Sequence, residues 1–469
     1  MADDERHLRA GVSGGRVRCG WGPALLVGLG AALLSLVPAW VLIFAGEYGG
    51  RGAFDQLNYH EPAIVRFAQQ WPRLEFGNYL SATTPGYHVG LAAAAQVVGT
   101  ERGVLQVLGS LFTGGLLVVL GAAAARRAGA RVAAVMLLPL AGSMYVFFPA
   151  VWLLPDNAGW LGVVACLLIA LSGRVGWKSL AAFACAFAVL VMVRQVHLWT
   201  LGPALAAAYV GAGEREPNRR EAWDVRGVVI GDFAGGMCRV GAVLVAAGIA
   251  LIPFGMLVWE WGGLTPPHFL RHQGLNPAAP AFVLAVFGVF APAYAALAWR
   301  GLSRVAASNA PAIALGVLVG CLSALVVPST YDQSAGRWTG LWNLVKIGPE
   351  VMDRSIVLCV LAGIGGGVLM LMLGGLSRRD RWIVLAAVAG YAAALAGTHE
   401  VWHRYVEPFV LIVLTLVTAR VVERAGGGCG GCGRGGGGGC VAVSVVGIGL
   451  AALTCVTVSR GKPVRDLGL

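Results

Sequence analysis

Apolar runs about 20 residues long, set apart by short loops that carry arginine, recur along this whole chain. A helix of that length spans a hydrocarbon core of about 30 Å. Inside such a core every backbone N–H and C=O must be satisfied within its own segment, so the expected fold is all-α, an integral membrane bundle. The charged fraction agrees. Only 12% of the 469 residues are charged and 57% are hydrophobic, where soluble domains carry about twice that charge. Disorder, a coiled coil and an outer-membrane barrel are excluded together.

The net charge of +12, from 35 Lys+Arg against 23 Asp+Glu, is first a signal of topology, because arginines in short loops hold those loops in the cytoplasm. No basic patch with interleaved aromatics appears, so nucleic acid is not an expected partner. Arg6, Arg9, Arg16 and Arg18 precede the apolar run 22–44. That run is too long for a signal-peptide core and lacks a cleavage signal, which makes it a retained span starting in the cytoplasm. The segment 46–84 is then the first outer loop, expected to be helical. Arginines recur at Arg126, Arg127 and Arg131, at Arg174 with Lys178, across 215–239, at Arg300 and Arg304, at Arg378, Arg379 and Arg381, and across 420–434. For all to face the cytoplasm, the 11-residue stretch 89–99 must not cross, and it reads as an interfacial or re-entrant helix.

The crossing segments are then 22–44, 103–125, 132–153, 158–173, 179–195, 197–213, 240–259, 280–299, 309–328, 355–376, 382–398, 406–420 and 441–458, about thirteen in all. The chain divides into a basic cytoplasmic N-terminus (1–21), a transmembrane domain (22–420), a Gly/Cys-rich cytoplasmic linker (421–440) and a final span with its tail (441–469). The last span places Arg460, Lys462 and Arg465 outside, against the charge rule. In the linker, Cys429, Cys432 and Cys440 fall one short of the four ligands of a structural zinc site. None of the ten cysteines lies in an outer loop, and no disulfide framework is expected. Short loops favour a bacterial inner membrane, with the endoplasmic reticulum membrane as the eukaryotic counterpart.

Once sidedness is set, the remaining ionisable and aromatic residues gather on the outer side: 55–62, 83–88, Asp156, 194–199, Trp259 to Gly263, His268, Arg271, His272, Tyr331 to Trp338, and His399 to Pro408. Indoles stack on sugar rings, carboxylates accept from hydroxyls, and guanidinium groups grip phosphate, so the set suits a carbohydrate linked to a lipid phosphate. Aromatic and charged residues also collect at the interface of any polytopic protein. Arg194 stands out because it ends an apolar run, where an unpaired charge costs about 3 kcal/mol.

Read in order, these loops resemble those of the GT-C glycosyltransferases, and most nearly the family that uses dolichyl-phosphate glucose to add a terminal alpha-1,2-linked glucose. Asp55, then His60-Glu61-Pro62, then Thr83-Thr84-Pro85-Gly86-Tyr87 is similar to that family's first outer loop, with its Asp-Glu, His-x-Pro and Thr-Thr-x-Pro-Gly. Arg194-Gln195-Val196-His197 looks like its Arg-Gln-Thr-Asn, Trp259, Gly262 and His272 like its Trp-Asn-Gly with a following His, and His403-Arg404-Tyr405 like its Arg-His-Tyr with two residues exchanged. The chain departs from that pattern in three places. Gln56 replaces the second carboxylate, Asp55 and His60 are one residue further apart, and the Gly-Asp-Lys-Ser element is missing.

The resemblance implies transfer of a sugar from a polyprenyl- or dolichyl-phosphate donor to an acceptor hydroxyl on a lipid-linked glycan, a lipid or a protein, with inversion. Asp55 is then the general base, with Glu61 as second candidate unless it only caps a helix starting near Pro62. Arg194 and Arg404 meet the leaving phosphate, with His272 and His403 as further donors. His60, Gln195, His197 and Tyr405 join the binding set. Asp156 either holds sugar hydroxyls or caps a helix. No cofactor is expected, and with one carboxylate lost at Gln56 the reaction is expected to proceed without a divalent metal. The alternative is a secondary transporter of a small polar solute or lipid-linked glycan, which would place ionisable groups near the bilayer midplane.

Overall fold

The computed structural model describes residues 19–46, 50–173, 176–211, 233–272, 274–426 and 437–459. Cys429 and Cys432 of the linker, the basic N-terminus through Arg18 and the tail from Arg460 lie outside them. The first span is α1 (Trp21–Ala45). The outer loop then folds into α2 (Gly50–Asp55), a π-helical turn Gln56–His60, α3 (Glu61–Gln70) and α4 (Gly86–Val98). At 13 residues α4 is about 20 Å long, too short to cross, as expected of 89–99. This loop has its own apolar core, in which Ile64, Phe67, Tyr79, Leu91 and Trp261 are buried.

Next come α5 (Arg102–Ala128), α6 (Ala130–Gly142), α7 (Met144–Val151), α8 (Asp156–Ala170) and α9 (Trp177–Val193). A 3-10 segment Gln195–Thr200 leads into α10 (Leu201–Val210), followed by α11 (Phe233–Ala250) and α12 (Ile252–Trp261). After a second 3-10 segment, Pro267–His272, the chain continues as α13 (Ala279–Leu297), α14 (Trp299–Ala306), α15 (Ala310–Leu325) and α16 (Leu341–Ile347). A two-residue hairpin, Glu350–Val351 against Arg354–Ser355, precedes α17 (Ile356–Gly374), α18 (Arg378–Ala396), α19 (His403–Arg424) and α20 (Gly437–Ser459).

The fold is all-α, with six described helices long and apolar enough to cross a membrane, or nine if the bent pairs α6–α7 (66°), α11–α12 (52°) and α14–α15 (101°) each count once. This falls short of the thirteen expected. Helices α8, α9, α10 and α18 occupy the other four places. The first three have 15, 17 and 10 residues, and α18 opens on Arg378, Arg379, Asp380 and Arg381, so apolar periodicity marks them while length or charge keeps them below a full span. The expected linker 421–440 is helical at both described ends, since α19 runs to Arg424 and α20 begins at Gly437.

Glycine makes the tightest seam. Gly288 of α13 and Gly365 of α17 leave no room for a Cβ against Leu361 O and Leu284 O, and Gly316 and Gly320 of α15 press on Gly366 and Ala362 of α17. Two faces of α17 thus meet backbone directly, the packing that membrane helices use when lipid removes the hydrophobic drive to associate.

Arginines from several of the loops read as cytoplasmic collect at one end. Arg126 donates to Cys19 O (2.7 Å), Arg127 pairs with Glu423 (2.5 Å), and Arg420 pairs with Asp380 (2.8 Å). Helices α5 and α19 run from this end to the opposite one, where Arg102 and Arg404 lie.

Candidate functional site

At that opposite end a cavity of ≈ 820 Å³ opens among the first loop, α8, the 3-10 segment Gln195–Thr200, α18 and the start of α19. Asp55, His60, Asp156, Arg194, Gln195, His197, Arg404 and Tyr405 all line it. Eight of the eleven residues nominated from sequence therefore converge. Asp55 and Arg194 open on the same space.

Two ion pairs frame it. Arg404 Nη1 donates to Asp55 Oδ2 at 3.0 Å and its Nη2 to Tyr405 Oη at 2.8 Å. Arg194 Nη1 donates to Asp156 Oδ1 at 2.6 Å. The Tyr405 ring lies between the guanidinium groups, 5.0 Å from that of Arg194 and 4.9 Å from that of Arg404, while Trp402 stacks on Arg404 at 4.2 Å. Arg194 stands where it does because α9 ends there: its backbone is extended (φ −152°, ψ 109°) and caps the helix by donating to Leu190 O. The cavity-facing loop 82–84 is latched by Gln195, whose Nε2 donates to Ala82 O (2.8 Å) and whose Oε1 accepts from Thr84 N–H (3.0 Å).

Around this frame, four buried nitrogens have no hydrogen-bond partner among the described residues: Arg194 Nε, Arg404 Nε, Trp160 Nε1 and His197 Nε2. His197 Nδ1 accepts from Trp199 Nε1 at 3.3 Å, so in a neutral ring the proton sits on Nε2 and all four are donors. A buried donor without an acceptor costs about 1–3 kcal/mol. Each of the four belongs to a residue that lines the cavity, but the nitrogen itself is covered by protein. The rest of the lining mixes apolar side chains, among them Leu198, Phe254, Leu264, Phe269, Trp160 and Tyr391, with the hydroxyls of Ser81, Thr83, Thr265 and Thr398 and the carboxylate of Glu400.

The other nominees are placed elsewhere. Glu61 does not line the cavity; Arg102 Nε binds both its oxygens at 2.8 Å and Gln56 Nε2 donates to it at 3.0 Å. Gln56 is itself fully buried and accepts from Gln106 and from Leu153 N–H, so the residue that replaces a carboxylate ties the loop to α5. His403 faces inward, with Nε2 2.9 Å from Glu407 Oε2 and Nδ1 accepting from Leu341 N–H. Glu407 is also held by Ser143. His272 ends the 3-10 segment Pro267–His272, and its side chain lies outside what is described. Trp160 and Tyr391 were not expected from sequence, since each sits singly within an apolar run and carries no local signal.

Among the described residues no group of three or more His, Cys, Asp or Glu is placed to hold a metal ion, and each cavity aspartate already faces an arginine. Burial pushes the His60 imidazole down to about 4, against the pull of Asp55 and Asp156, and holds that of His88 well below the usual histidine range. No family model, curated protein or solved structure matches the chain.

Proposed function

We propose that this chain is a membrane glycosyltransferase of GT-C-like architecture, which moves a hexosyl group from a polyprenyl-phosphate sugar to an acceptor hydroxyl with inversion and without a metal. The observation that carries the reading is the cavity lining, where two arginine–carboxylate pairs stand beside apolar side chains such as Leu198, Phe254, Leu264 and Phe269. A sugar phosphate supplies acceptor oxygens and an isoprenoid chain suits the apolar side chains.

In the proposed step Asp55 takes the proton of the acceptor hydroxyl, the hydroxyl oxygen bonds to the anomeric carbon, and the bond from that carbon to the phosphate oxygen breaks. The phosphodiester, with one negative charge, leaves as a monoester with two. Protonating Asp55 cancels the charge that holds Arg404, which turns that guanidinium toward the charge appearing on phosphate while Arg194 stays with Asp156. One side chain thus links the base to the leaving group. Glucose is the sugar favoured by the resemblance of the loops.

Under this reading the arginine-lined end is cytoplasmic and the cavity faces the extracytoplasmic side of a bacterial inner membrane. A transporter would need an accessible ionisable group within its spans. Glu407 is the buried acid of α19, and both its oxygens are engaged by Ser143 and His403, away from the cavity lining.

The test is transfer from undecaprenyl- or dolichyl-phosphate glucose by the full chain in lipid nanodiscs. Asp55→Asn is expected to lower kcat by about 10²-fold or more, the usual contribution of a general base, with little change in donor KM. Unchanged turnover removes Asp55 as base. Uptake of the same compound into sealed vesicles without transfer would make the protein a carrier.

A further inference from the structure

His60 is one end of a buried hydrogen-bonded chain that the reaction above does not use. Its Nδ1 lies 2.9 Å from His88 Nε2, and His88 Nδ1 lies 2.6 Å from Tyr79 Oη. The two imidazoles are nearly coplanar, at 15° with centroids 5.2 Å apart, an in-line arrangement suited to a hydrogen bond between ring edges. All three residues are buried, at 8%, 0% and 2% exposure for His60, His88 and Tyr79. Of the three, His60 alone lines the cavity. With its Nδ1 edge covered by His88, the edge left to face the cavity is Nε2.

The polarity of the chain follows from its far end. A phenol is a strong donor and a weak acceptor, and its shorter contact is to His88 Nδ1, against 3.3 Å to Thr84 O. The hydroxyls of Thr83 and Ser81 lie against the same phenol oxygen and can donate to it. Tyr79 therefore donates to His88 Nδ1. A neutral imidazole that accepts at one nitrogen carries its proton on the other, so His88 donates from Nε2 to His60 Nδ1, and His60 keeps its own proton on Nε2.

We infer that His88 and Tyr79 are positioning residues that lock His60 as a neutral N–H donor aimed into the cavity, where it holds an acceptor oxygen of the substrate. This rests on the glycosyltransferase reading for the identity of that oxygen, on the sugar or its phosphate, but the lock itself does not. The groups facing His60 balance: Asp55 and Asp156 favour its charged form, Arg404, Arg194 and His88 oppose it, and burial decides for the neutral ring. His60 is thereby excluded as the base, since its only free edge already bears a proton.

The decisive measurement is nitrogen-15 NMR of histidine-labelled full-length protein in nanodiscs, with eight histidines to resolve and with His60→Gln and His88→Gln as assignment variants. Both rings are expected to be protonated on Nε2 and bare on Nδ1, unchanged from about pH 8 to about pH 5, where a free histidine would titrate. In Tyr79→Phe the His60 signal is expected to lose its single tautomer. A proton on His60 Nδ1, titration between about pH 6 and 7, or an unaltered spectrum in Tyr79→Phe would overturn the lock. In the transfer assay His60→Ala is expected to raise donor KM about tenfold, and His60→Gln, whose amide keeps an N–H donor near Nε2, to raise it by clearly less. Equal KM in those two variants would overturn the substrate contact. A chain that transfers no sugar but gives the expected spectra loses only the function proposed above.

Discussion

Tyr405 is the residue around which the charges of the cavity are arranged. Its ring faces both guanidinium groups and its hydroxyl accepts from Arg404, so two cations that would repel each other share one aromatic face as well as two carboxylates. Gly159 of α8 sets how closely this group packs. A Cβ there would lie 2.9 Å from His197 Nε2 and 3.2 Å from Arg194 Cδ. Gly159→Ala is therefore expected to push Arg194 off Asp156 and lower kcat/KM about tenfold or more, because an error of about 1 Å in a positioning group costs up to about 10²-fold. Thermal unfolding of the same variant should move by only a few degrees, for the methyl meets side chains rather than backbone. A large loss of stability with intact transfer would assign Gly159 to packing alone.

Among the helices, α17 carries the opposite arrangement, since its glycines meet backbone. Gly365→Val is expected to force α13 and α17 apart and to destabilise the bundle by about 1–3 kcal/mol or more, read as a lowered unfolding temperature in detergent, with donor KM unchanged in the surviving fraction because neither helix lines the cavity. The element scale also shows where sequence reading holds and where it stops. Runs 22–44, 103–125 and 441–458 correspond to α1, α5 and α20 because long unbroken hydropathy needs only helical length to be read. The bend at Ser143 between α6 and α7 is not legible in the same way. It depends on Ser143 capping Tyr145 N–H while also donating to Glu407, 264 residues away. Asp55 and Arg404, 349 positions apart, could be nominated from the outer loops that carry them, but their pairing could not. Nor could the loss of Glu61 from the cavity to Arg102, 41 residues on.

For the whole molecule, the most legible feature was which charged residues share an end. Arginine counting put 126, 127, 379 and 420 on one side and 55, 156, 194 and 404 on the other, and the two sets gather at opposite ends of α5 and α19. A membrane-impermeant thiol reagent tests this on intact cells, in a chain whose own cysteines have been replaced. Thr83→Cys at the cavity mouth is expected to react directly, and Arg131→Cys only after permeabilisation. Labelling of both from the same side would remove the topology.

The pairing of Asp55 with Arg404 joins residues 349 positions apart. At a synthesis rate of about 5–20 residues per second, the acid leaves the ribosome roughly 20–70 s ahead of its cation. Through that interval the first loop must mature without the guanidinium that later meets Asp55 in the cavity. Under the proposed function, a newborn chain is inert until its penultimate described helix inserts, which ties the onset of transfer to the completion of the bundle around the cavity.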